Sequence, residues 1–173
     1  MSSTSASLSV AVLDGAAGLK IRGKANFTSS VDFKRAFVEM EGRGFQKFII
    51  DLTDCVTMDS TFLGGLAGIG LDCNPQGKSP EKSVELLNPN SRIFDVLENL
   101  GVSHLFNIRQ GHPLEQAEDF VPSVSPSRVE LTRNCVNAHE TLMQVNPENV
   151  KKFKDCTQFM KEDLKKLEQG EQV

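Results

Sequence analysis

The chain has 173 residues, a formal charge of -4, and 24% charged against 39% hydrophobic residues. That is the composition of a globular protein with room for one domain and an appendage. A mildly acidic chain lacks the field that draws in a phosphate backbone, so direct nucleic-acid binding is disfavoured. No apolar run approaches the roughly 20 residues needed to cross a bilayer. The small, polar Met1–Ser9 has no basic patch ahead of an apolar core, so neither a membrane span nor a signal peptide is expected. The cysteines Cys55, Cys73, Cys135 and Cys156 form no CxxC pair and are too sparse for a secreted disulfide scaffold. Reduced thiols in the cytoplasm follow, with no metal and no cofactor expected.

In chain order, Leu8–Leu13 and Gly18–Gly23 alternate apolar and polar residues around Asp14-Gly15, which predicts a hairpin. Asn26 to Ser30 offers caps for a helix with Phe33, Ala36, Phe37 and Met40 on one face, stopped by Gly42 and Gly44. Phe48-Ile49-Ile50 reads as a central strand covered on both faces. Asp54–Asp59 is expected to be a loop and Ser60–Cys73 a helix. Asn74–Pro80 is a turn-rich break. Ser83–Leu87 is a strand, and Asn90-Ser91 caps a helix closed by Gly101. Val102–Ile108 can add a last strand, and Glu115–Phe120 a final helical turn. This alternation predicts an α/β fold with a mixed β-sheet.

Val121–Pro126 reads as a linker, so the expected organisation is a domain over residues 1–121 and an extension over 122–173. Ser125 and Pro126 suit an N-cap and first helical position, and Asn146-Pro147 repeats the device. Heptad-like stripes on either side, Leu131 to Val145 and Val150 to Leu167, predict two amphipathic helices or one helix kinked at Pro147. Residues 1–121 hold 11 basic and 15 acidic side chains and residues 122–173 eight of each, so the acidic excess lies in the first part.

The informative stretch is Phe48–Cys73, FIIDLTDCVTMDSTFLGGLAGIGLDC. A buried strand leads through an acidic loop to Asp59-Ser60-Thr61 and a Gly-rich apolar helix. Ser60 is therefore expected on the surface at a helix N-terminus, where free amides point outward. Gly64, Gly65, Gly68 and Gly70 each cost the helix on the order of 1 kcal/mol relative to Ala, so close backbone packing or close approach of a partner must offset them.

A hydrophobic strand ending in Asp-Leu, then Asp-Ser-Ser/Thr before a Gly/Leu-rich helix, resembles STAS domains, and among them the anti-sigma factor antagonists. The likeness covers residues 7–120. It implies that Ser60 is a phosphorylation site for a serine kinase that is itself an anti-sigma factor, and that a phosphatase resets the switch. Asp59, Thr61 and Phe62, with Asn26 and Phe27 on the adjacent loop, are then the partner-binding residues. Phe62 stands where the family usually has Gly. A phosphate at a helix N-terminus is tolerated through the macrodipole but excludes a partner packed over it, so the switch is local.

Other chemistries are weaker. Met58–Phe62 has neither glycine of a nucleophile elbow, which disfavours a serine hydrolase even with His104, His112 and His139 in the chain. Gly77-Lys78-Ser79 lacks the first glycine of a phosphate loop. Asp51, Asp54 and Asp59 read as loop carboxylates, and Lys161, Lys165 and Lys166 as a solvated helix face. A non-switching scaffold subunit of a signalling or transport assembly is the alternative in the same fold. The C-terminal helices either pack back on the domain or form a homodimer or docking element.

Overall fold

The computed structural model describes residues 5–73, 83–121 and 124–170. The alternating N-terminal segment forms an antiparallel hairpin, β1 (Ser7–Leu13) and β2 (Ala16–Ala25), turned at Gly15 with φ +73°. Helix α1 (Phe27–Gly42) follows, then β3 (Lys47–Asp51), β4 (Cys55–Met58) and helix α2 (Ser60–Cys73). Next come β5 (Ser83–Leu87), α3 (Ser91–Asn99), β6 (Asn107–Arg109) and β7 (Glu118–Asp119). Helices α4 (Arg128–Val145) and α5 (Val150–Glu168) complete the described chain.

The sheet is mixed, in the order β6-β5-β3-β2-β1-β7 with β4 also paired to β2. Strands β3, β5 and β6 run parallel, β1 lies antiparallel to β2, and β7 antiparallel to β1. Strand β2 serves two neighbours in succession. Ala16–Lys20 pairs with β3 and Gly23–Ala25 with β4. Gly23, at φ +92°, sits where the β2–β4 register shifts, between Gly23 and Lys24, and its amide donates to the Asp54 carbonyl.

Several expectations are corrected. The stretch read as a loop at Asp54–Asp59 contains β4, too short for its alternation to register. Glu115–Phe120 is no helical turn: Glu118 and Asp119 pair with Val10 and Ser9, and Ser9 Oγ donates to Asp119. Val102–Ile108 holds a 3-10 turn at Ser103–Leu105 before β6. Helix α4 is capped by Ser127, which accepts from the Glu130 amide, two residues beyond the expected cap at Ser125. At Pro147 the chain makes a 3-10 turn, and α5 returns antiparallel along α4, tied by Arg133–Glu168 and Lys161–Glu140. The expected break at Asn74–Pro80, with Gly77-Lys78-Ser79, lies outside the described residues.

With no Trp or Tyr, phenylalanines supply the aromatic rings of the core. Phe33 of α1 meets Phe62 of α2 with ring centroids 5.0 Å apart, and Phe37 meets Phe48 of β3 at 4.4 Å. On the opposite face of β2 and β3 lies a buried ion pair, Lys20 and Asp51, 3.7 Å apart. Asp51 also accepts from the Thr53 amide at 2.9 Å and the Leu114 amide at 2.8 Å. Lys20 donates in turn to the Leu114 carbonyl at 3.3 Å. The pair thereby straps residue 114 over the reverse face.

Removing Asp51 leaves buried Lys20 with only the half-exposed Asp54 carboxylate, 3.6 Å away, and strips the acceptor from the Thr53 and Leu114 amides. Asp51→Ala is expected to lower unfolding stability by about 3 kcal/mol, read as a shift in the urea midpoint.

Candidate functional site

Strands β2 and β4 run parallel and end together: the Asp59 amide donates to the Ala25 carbonyl at 2.9 Å. Each strand then hands over directly to a helix. The N-termini of α1 and α2 are thus set side by side at the carboxyl end of the parallel pair, the edge where α/β sheets commonly place functional groups. Asn26 caps α1, its Oδ1 accepting from the amides of Thr28 and Ser29 at 3.1 Å, while Ser29 Oγ accepts from the Asn26 amide at 2.9 Å.

Asp59 joins the two helix starts. Its Oδ1 accepts from the Phe62 amide at 2.8 Å, as an N-cap should, and its Oδ2 accepts from the Phe27 amide at the same distance. Ser60 is therefore the first residue of α2, Thr61 the second and Phe62 the third. Of the residues singled out in the sequence, Asn26, Phe27, Asp59, Ser60 and Thr61 do meet at this junction. Phe27 is half-exposed on its rim. Phe62 is different: its ring is fully buried against Phe33, so it anchors the helix in the core rather than offering a surface to a partner.

Ser60 is not on the free surface the sequence suggested. Helix α4 lies across α2, and Ser60 Oγ is 2.9 Å from His139 Nε2. His139 Nδ1 lies 2.7 Å from the Cys135 carbonyl. A carbonyl only accepts, so Nδ1 carries a proton, and in the neutral ring Nε2 accepts from the Ser60 hydroxyl. Beside this contact, Thr61 Oγ1 donates to Cys135 Sγ at 3.6 Å. Burial pushes the Cys135 thiol above its ordinary pKa, the Thr61 hydrogen bond works against this, and nearby Asp59 adds to it. His139 is itself buried and stacks at a tilt on Phe153 of α5, with centroids 5.0 Å apart.

The glycines of α2 have separate reasons. A methyl at Gly64 would lie 2.3 Å from the Ala138 carbonyl oxygen, so α4 and α2 touch backbone to backbone there. A methyl at Gly70 would meet the Phe106 ring at 2.9 Å. Gly68 has only Thr141 at 4.0 Å. Sequence reasoning named His139 only as one of three histidines in the chain and did not place it beside Ser60. The usable signal was local: His139 follows Cys135 by one helical turn, so both share a face of α4. Its pairing with Ser60, 79 positions away, had no sequence signature.

A hydroxyl hydrogen-bonded to an imidazole can become a nucleophile when an oxyanion site stands beside it. Here the Phe62 amide is taken by Asp59 Oδ1 and the Leu63 amide by the Asp59 carbonyl. No group of three His, Cys, Asp or Glu among the described residues can hold a metal ion, and no helix among them is long and apolar enough to cross a membrane.

The model of the STAS domain family matches residues 7–114. Among solved structures, the anti-sigma factor antagonist SpoIIAA in its unphosphorylated form superposes with a TM-score of 0.51 at 12% identity, covering 61% of this chain and 88% of that one. Protein TM1081 of Thermotoga maritima gives 0.53 at 22% identity, covering 61% and 86%. An anti-sigma factor antagonist from Mycobacterium paratuberculosis gives 0.51 at 15% identity, covering 60% and 85%. No curated protein sequence matches.

Asp59→Ala strips the acceptor from two helix-terminal amides at once. We expect a loss of about 2 kcal/mol in unfolding stability, with Asp59→Asn, which keeps one acceptor, losing about 1 kcal/mol.

Proposed function

The chain belongs to the STAS domain family, and on that premise we propose that it is an anti-sigma factor antagonist working by partner switching, with Ser60 as the phosphoacceptor. The observation that carries this reading is the placement of Ser60. Its hydroxyl stands at the first position of α2, inside the matched region, beside the junction of two helix N-termini. An anti-sigma factor that is also a serine kinase would transfer the terminal phosphoryl group of ATP. The bond from Ser60 Oγ to phosphorus forms, the bond from that phosphorus to ADP breaks, and the hydroxyl proton passes to the kinase's base. A phosphatase reverses the state by hydrolysis.

The physical consequences follow from position. The phosphate adds about -1.5 to -2 charges at a place where the α2 dipole favours negative charge by about 0.3–1 kcal/mol, so the fold survives. Asp59 stands next to it, so any partner face packed over Ser60 meets a bulky anion reinforced by a second carboxylate. Asn26, Phe27, Asp59 and Thr61 surround the acceptor as the proposed contact surface. The domain over residues 1–121 is the switch in this reading, acting in the cytoplasm without direct contact with nucleic acid. A scaffold role in a larger assembly would use the same fold without the switch. The Ser60–His139 hydrogen bond favours a second reading, a hydrolase with Ser60 as nucleophile, which a fluorophosphonate probe would reveal by labelling Ser60.

Intact-mass and phosphopeptide measurements on protein isolated from its native cells are expected to show one phosphate, at Ser60, absent from Ser60→Ala. Phosphate confined to other residues, with an unmodified Ser60 under all growth conditions, would overturn the proposal.

A further inference from the structure

The family match ends at residue 114, and α4 begins at Arg128, yet α4 is what covers Ser60. We propose that α4, backed by α5, is an intramolecular occupant of the switch surface, and that a phosphate on Ser60 expels it. The inference rests on Ser60 being the phosphoacceptor and adds a regulator carried by the chain itself.

Three observations support displacement rather than accommodation. The first is the lack of slack. Ser60 Oγ and His139 Nε2 are at hydrogen-bond distance, so the three terminal oxygens of a phosphate have no place between them unless His139 withdraws. His139 is fixed to its own helix by the Cys135 carbonyl, and that helix is set one turn away against the Gly64 backbone. Withdrawal of His139 therefore moves α4. The second is the solvent-open border of α4. Where α4 faces α1 and the outer edge of α2, two clefts of about 430 and 540 Å³ open to solvent, bordered by residues such as Lys34, Val38, Asn134 and Asn137. These clefts leave the outer border of α4 in solvent, while its inner face is packed, with Ala138 buried and Leu142 part of the core. The third is the nature of the bonds that hold α4 on α1. They are the Arg35–Glu130 ion pair at 2.7 Å and the Asn134–Ser30 hydrogen bond at 3.0 Å. Such groups can exchange for water when the helix leaves.

In the closed state α4 shields Ser60 from a kinase active site and holds the surface a partner would take. Modification captures the open form, and the phosphate then keeps α4 away. A partner competes for the same face and must bring a helix with a small residue opposite Gly64, as Ala138 does now.

The test uses the full chain with Cys156→Ser, so that the exposed thiol is gone and Cys135 reports on the seam. Phosphoserine is placed at position 60 during translation, which needs no kinase, and N-ethylmaleimide labelling of each cysteine is followed by mass spectrometry. Phosphoserine at 60 and Gly64→Ala are each expected to speed Cys135 labelling about tenfold or more. Gly68→Ala, whose methyl meets nothing closer than 4.0 Å, should leave the rate unchanged. The added negative charge by itself would slow the thiol, so acceleration reports opening. Cys55, a buried thiol in β4 pushed up to about 11 by burial, must stay unlabelled. Unchanged Cys135 labelling with phosphoserine at 60, or Cys55 labelling in step with Cys135 in both proteins, would overturn the proposal. The assay reads release of α4 whether or not cells phosphorylate Ser60, so its failure is separable from failure of the functional reading.

Discussion

The Asp59 carboxylate is the constraint on which the site depends. Its two oxygens are 2.8 Å from the amides that open α1 and α2, and its own amide is paired to the end of β2. One side chain thus fixes where two helices start and where Ser60 sits relative to both. The arrangement works because β2 and β4 are parallel and end in register, so that their two following residues, Asn26 and Asp59, are neighbours. Both are natural helix caps. The acidic residue that would sit beside a phosphate is therefore already occupied by amides, and its charge is a fixed part of the junction.

Legibility in the sequence followed length of pattern. The hairpin, α1, β3, α2, β5 and α3 each show an apolar run, alternation or helical stripe, and all are present where those patterns lie. The four-residue β4 and two-residue β7 carry no such period; they exist because β2 and β1 offer unpaired edges, which is tertiary information. The same limit applies at the site. Asp59, Ser60 and Thr61 were legible because chain neighbours share a strand-to-helix turn. Phe62 was legible as a departure but not as a core ring, since its partner Phe33 comes from another helix. His139 reached Ser60 only through the packing of α4 on α2.

The composition of α2 makes some cover for that helix a physical necessity. From Ser60 to Leu71 it contains no charged residue. A helix apolar on all sides cannot leave one flank in water without cost. The sheet and α1 bury the inner side through Phe62, Leu63 and Leu66, while α4 closes the outer side at Gly64. Glycine at that point lets the two backbones approach, and the approach brings His139 to Ser60. The shielding of α2 from water and the Ser60–His139 hydrogen bond thus belong to one helix–helix contact. Departure of α4 would expose an apolar flank beside Ser60, the proposed phosphoacceptor, and such a surface would favour recapture of α4 or capture of another helix. The phosphate, by obstructing His139 alone, would shift that competition without changing any core residue.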